Sequence, residues 1–105
     1  MRVKDVLTGQ VDLLVLSVLE DGPAHGYALV EAIRERSTGV FDLAEGTIYP
    51  ALYRLERKRL VTSEWQVVAG RRRRLYSLTT RGRTELEQRR VDWRRFSSAV
   101  EAVLA

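Results

Sequence analysis

The chain has 105 residues, of which 45% are apolar and 30% charged, enough for one domain with a modest core and too apolar for a disordered segment. It has no cysteine and one histidine, which excludes a disulfide framework, a thiolate metal site and a zinc site built from His ligands. The net charge of +4 is segregated: residues 46–83 hold ten basic and two acidic side chains, so this window carries +8 and the remainder −4, the footprint of a surface that meets a polyanion.

Residues Met1–Gln10 carry charges and lack the apolar stretch of a signal peptide. The longest apolar run, 11–19, is broken by Asp12 and Ser17 and falls short of the roughly 20 residues of a membrane span. A cytoplasmic protein is expected. Val11, Leu14, Val15, Val18 and Leu19 recur with helical period, which predicts a first helix with Thr8 as its N-cap and Gly22-Pro23 as its stop. Leu13 and Leu16 lie off that stripe and predict a second apolar face that seeks a partner.

The segment AHGYALVEAIRERSTG predicts a second helix, with Leu29, Val30 and Ile33 inward and Gly26 in its first turn, where a missing side chain permits close approach. After the loop VFDLAEG, the run TIYPALYRLERKRL predicts a third helix. Thr47 is its candidate N-cap, Pro50 suits its first turn, and Ile48, Leu52 and Leu55 line one face.

The period then changes to two. VTSEWQVV and RLYSLTT alternate, and residues 69–73 connect them, so a β-hairpin is expected whose projecting loop is the arginine run. Trp65 is expected in the core or at the base of the hairpin. A last helix starts near Thr79 or Thr80. Leu86, Trp93 and Val100 repeat every seven residues, with Phe96 and Val103 interleaved and Arg89 breaking the stripe, which predicts a short seam that needs another helix.

The resulting order is helix, helix, helix, strand, strand, helix. The fold class is α+β and mainly helical: a winged helix-turn-helix over 1–79 and a C-terminal dimerisation helix over 80–105. In such a fold the third helix enters the major groove. With its apolar face inward, that helix presents Tyr49, Tyr53, Arg54, Arg57 and Lys58, residue types that bond phosphates and base edges, while Thr47 and the free amides at its start suit a phosphate. The hairpin beside it is a wing, and Arg71, Arg72, Arg73 and Arg74 suit the DNA backbone or a narrow minor groove. The expected partners are double-stranded DNA and a second copy of the chain, joined through Leu13, Leu16, Leu86, Trp93, Phe96, Val100 and Val103. No membrane contact, metal or other cofactor is expected. The chain has no paired acid-base site, phosphate loop, Ser-His or Cys-His pair, so an enzyme is not expected. The competing reading is a winged-helix module whose basic surface binds an acidic protein.

HGYALVEAI, EGTIYPALYRLERKRLV and GRRRRLYSLTTRGRTEL together resemble the PadR-type transcriptional regulators, over nearly the whole chain from about Val6 to Phe96. The short tail resembles the branch with a single C-terminal helix. The resemblance implies a homodimer that usually represses from a pseudo-palindromic operator, with the last helix crossing to the other subunit and supported by the first. Ala44 and Glu45 stand where the family often has Ser-Pro or a similar capping pair. Either that cap is lost, or the helix starts at Thr47. The resemblance also implies a ligand site, because some relatives bind flat aromatic drugs between paired tryptophans. Trp93 sits in the matching place, eleven residues after Gly82, with Phe96 close by. The alternative for Trp93 is plain packing in the dimer seam. His25 reads as a hydrogen-bonded structural residue rather than a pH switch.

Overall fold

The computed structural model describes residues 9–105, so Thr8 and its expected cap lie outside the described residues. Among the described residues, four helices and three strands follow in the order α1 (Val11–Leu19), β1 (Ala24–His25), α2 (Gly26–Arg36), α3 (Glu45–Arg57), β2 (Val61–Val68), β3 (Arg71–Leu78) and α4 (Thr80–Leu104). This is the winged helix-turn-helix read from the sequence, with a long C-terminal helix.

The helix α1 is central. Its residues Val11, Val15, Leu16, Val18 and Leu19 are buried, and α2, α3, α4 and β3 pack around it. Two faces of α1 are therefore consumed inside one chain. Leu16 was expected in a dimer seam and is instead fully buried in the protomer's own core, as is Leu86 of α4. Neither has surface left for a partner. A nine-residue apolar helix can satisfy both faces when a three-helix body and a sheet close over it. Each such leucine contributes about 1.5–3 kcal/mol of burial.

Gly22 adopts φ +145 and ends the turn after α1. The following β1 was not legible in the sequence. Ala24 pairs with Tyr76 and His25 with Leu75, which makes a three-stranded antiparallel sheet of order β1-β3-β2. The His25 Nδ1 lies 3.0 Å from the Arg74 carbonyl oxygen, the structural role expected of it.

The wing differs from expectation. Val68 pairs with Arg71, so the hairpin closes on two residues, Ala69 (φ +50) and Gly70 (φ +77). Two consecutive left-handed residues suit the right-handed twist of the strands. The four arginines therefore lie in β3, paired with residues 65–68 of β2, rather than in a long loop. The error has a plain cause: a run of identical side chains carries no alternation to read.

Two helix ends are fastened tightly. α3 finishes with Arg59 at φ +62 and with Leu60 N–H donating to the Leu55 carbonyl at 3.0 Å. Thr79 caps α4: its Oγ1 accepts from Gly82 N–H at 2.9 Å and donates to the Arg59 carbonyl at 2.8 Å. Gly82 lies so close to the Leu60 carbonyl that a Cβ there would collide with it. α4 thus starts at the expected Thr80, yet its first turns belong to the core of the body. Arg90 then donates to both carboxylate oxygens of Glu20 at 2.6 and 3.0 Å, tying α4 to the end of α1. Beyond that point α4 runs on almost wholly exposed.

Among the described residues no helix is long and apolar enough to cross a membrane, and no group of three His, Cys, Asp or Glu residues could hold a metal ion.

Candidate nucleic-acid interface

The start of α3 decides what it can offer. Its N-cap is Ala44, which makes no side-chain cap bond, so of the two expected outcomes the cap is lost. Thr47 is not the cap: it lies inside the first turn, with its N–H on the Ala44 carbonyl at 3.0 Å and its side chain exposed. The missing cap costs about 1 kcal/mol of helix stability. Starting the helix at Glu45 also moves Pro50 beyond the first turn expected for it, to the sixth helical position, where it cannot donate to the Gly46 carbonyl. The helix holds because Ile48, Ala51, Leu52 and Leu55 are all fully buried.

The opposite side of α3 exposes Tyr49, Tyr53, Arg54, Arg57 and Lys58, as expected, but the fold divides them. Tyr53 and Arg57 stand together on the outermost face, the Arg57 guanidinium 5.7 Å from the Tyr53 ring centre. Tyr49 lies against Gly26 of α2, where a Cβ would approach its Oη to 2.6 Å, so the glycine seats the tyrosine at the crossing of the two helices. Arg54 turns the other way, and its Nη2 meets Asp12 Oδ1 of α1 at 2.9 Å. Lys58 faces α4, where it lines a cleft of about 550 Å³ with Arg81, Glu85 and Arg89.

Strand pairing divides the wing arginines as well. Residues 72, 74 and 76 share one face of β3 with Ser63, Trp65 and Val67 of β2, and Arg71 and Arg73 occupy the other. Arg74 is an anchor: its Nε donates to Ser63 Oγ at 2.7 Å, and its Nη2 lies 3.6 Å from Glu56 of α3. Ser63 Oγ in turn donates to Glu56 at 2.6 Å, so this triangle fixes the wing to α3. Among the described residues, Arg71, Arg72 and Arg73 have no carboxylate partner.

Between the wing and the starts of α2 and α3 runs a groove of about 410 Å³, lined by Tyr27, Glu45, Tyr49, Trp65 and Arg72 to Arg74 among others. Tyr76 is buried at its edge, and burial raises its phenol above the ordinary 10.0. Three exposed lining residues, Tyr27, Glu45 and Trp65, were missed as candidates. Tyr27 had a signal, being an aromatic residue off the apolar stripe of α2. Trp65 is 55% exposed and does not enter the core.

The C-terminal half of α4 carries the second candidate surface. Trp93, Phe96, Val100 and Val103 are exposed by 43%, 53%, 43% and 85%. The Trp93 and Phe96 rings meet edge to face at 6.0 Å and, with Leu13, Gln10, Arg89 and Asp92, line a cavity of about 340 Å³.

Comparison with known proteins agrees with this geometry. The transcriptional regulator Rv3488 of Mycobacterium tuberculosis is 40% identical over 80 residues, 76% of this chain and 72% of its own. A PadR family transcription regulator of Clostridium difficile superposes with a TM-score of 0.79 at 36% identity, over 90% of this chain and 98% of its own. Bacillus subtilis PadR, solved in complex with operator DNA, shares the fold with a TM-score of 0.68 at 23% identity, over 73% of this chain and 44% of its own. The transcriptional regulator PadR-like family matches residues 15–88, and with the fold and these likenesses the chain belongs to that family.

Proposed function

We propose that this chain is a sequence-specific DNA-binding repressor that acts in the cytoplasm as a homodimer on a pseudo-palindromic operator. The observation that carries the reading is the basic wing beside α3: Tyr49 and Arg72 to Arg74 line one groove, and Arg71, Arg72 and Arg73 have no carboxylate partner among the described residues. Tyr53 and Arg57 on the outer face of α3 read base edges. Arg71 and Arg73 hold the backbone, which fixes register without reading sequence. Thr47, exposed in the first turn of α3, offers a hydroxyl to a phosphate.

The dimer reading rests on α4. A stripe of Trp93, Phe96, Val100 and Val103 is too apolar and too exposed to stand alone on a projecting helix, and Leu13 of α1 extends it. Pairing of two such stripes would bring two Trp93 rings and two cavities together. A planar aromatic ligand fits between them and would shift the spacing of the two α3 helices.

Anisotropy of labelled duplexes at two salt concentrations tests the DNA reading. A duplex from upstream of the gene for this protein should bind about 100-fold tighter than a scrambled one, and both affinities should fall steeply with salt. Equal binding of both duplexes, together with capture of a stoichiometric acidic protein, would replace this reading by a protein-interaction module. Val100→Asp should convert a dimer to a monomer in sedimentation, and an unchanged mass would remove α4 from the dimer seam.

A further inference from the structure

Trp65 is an exposed tryptophan on a basic wing, which a folding argument does not explain. The Arg72 guanidinium carbon lies over its ring at 4.6 Å from the centre, and that of Arg74 at 5.1 Å. The two arginines are not equivalent. Arg74 is already held by Ser63 and lies beside Glu56, so it needs no indole to place it. Among the described residues Arg72 has no carboxylate partner, and what holds its guanidinium is the Trp65 face. An arginine on a strand near a hairpin tip otherwise samples many rotamers, and fixing it on binding opposes association. An aromatic face holds the charge without neutralising it, as a carboxylate would.

We propose that Trp65 is a positioning residue for DNA binding: it holds Arg72 in a fixed orientation on the groove side, poised for a backbone phosphate, and acts through that arginine. The proposal rests on the DNA-binding reading above. Within it, the four arginines have three roles. Arg74 fastens the wing to α3 through Ser63 and Glu56. Arg72 is pre-oriented. Arg71 and Arg73, on the other face, remain free to follow the backbone.

The test is a double-mutant cycle read by anisotropy at several salt concentrations, on the full-length protein. Trp65→Ala should weaken binding to operator and scrambled duplexes alike by about 10-fold, and Arg72→Ala by a similar factor. The double variant should bind no more weakly than Arg72→Ala alone. The slope of log affinity against log salt should become shallower by about one unit in Arg72→Ala, which removes a charge, and stay unchanged in Trp65→Ala, which removes none. Trp65→Phe keeps an aromatic face and should restore most of the loss, whereas Trp65→Leu should not. Fully additive losses, or equal rescue by Leu and Phe, would overturn the proposal and make Trp65 a direct contact or a packing residue.

A second arm separates this failure from failure of the DNA reading. In a Trp93→Phe background Trp65 is the sole tryptophan, and Arg72→Ala should shift its emission in the DNA-free protein. No shift would overturn the stack itself, whatever the DNA does. If the unmodified protein binds no duplex, the DNA reading falls and the positioning role falls with it, even where the emission shift is present.

Discussion

Arg54 Nη2 lies 2.9 Å from Asp12 Oδ1, so a basic side chain of α3 is held by the first turn of α1. Asp12 is largely covered, and Arg89 Nη1 of α4 approaches its second oxygen at 4.0 Å. One carboxylate thus joins the helix proposed to read DNA to the helix that carries Trp93. An arginine so engaged is a weaker base reader than Tyr53 or Arg57, because DNA must compete with Asp12 for it.

Asp12→Asn should release Arg54. Arg54 is half-exposed, so the pair's own stability contribution is about 1 kcal/mol and the fold should survive. Affinity for any duplex should rise about 3- to 10-fold, and the salt slope should steepen by about one unit. Anisotropy at graded salt reads both. An unchanged slope would mean that Arg54 does not meet DNA even when free.

Two glycines of apparently similar type should respond in opposite senses. Gly82→Ala places a Cβ against the Leu60 carbonyl, which belongs to the tightly bonded end of α3 and cannot yield cheaply. A loss of about 2–3 kcal/mol is expected in urea unfolding. Gly46 meets nothing within 4 Å and lies in a helix, so Gly46→Ala should stabilise by roughly 0.5–1 kcal/mol. Equal effects would remove the close approach of α4 to α3 as a determinant of the fold.

The Glu20–Arg90 pair gives a pH dependence of defined sign. Hydrogen bonds from Arg90 hold the Glu20 carboxyl below its ordinary 4.5, and the same bonds raise the guanidinium further above the physiological range. A folded-state value below the unfolded one adds stability that is complete above the unfolded value. It is lost as the pH falls through the folded one. Thermal unfolding should therefore show a decline beginning below about pH 4.5 that is smaller in Glu20→Gln. Identical pH profiles for the two proteins would show that the pair contributes nothing to folding.

Much of this molecule is written in short-range pattern. Helical period placed α1, α2 and α3, alternation placed β2 and the second half of β3, and Gly26 was rightly read as a point of close helix approach. Such features depend on residues a few positions apart and on the steric needs of one glycine, so the amino-acid sequence by itself determined them. The tertiary structure alone decided the rest. It buried Leu16 and Leu86 within one chain, added β1, and put the arginines in a strand by closing the wing on Ala69 and Gly70. It also gave Arg54 to Asp12, 42 residues away, and Arg72 to Trp65. A long charged side chain has many possible partners, and its choice is set by which elements the packed core brings within a few ångströms, which no local period records.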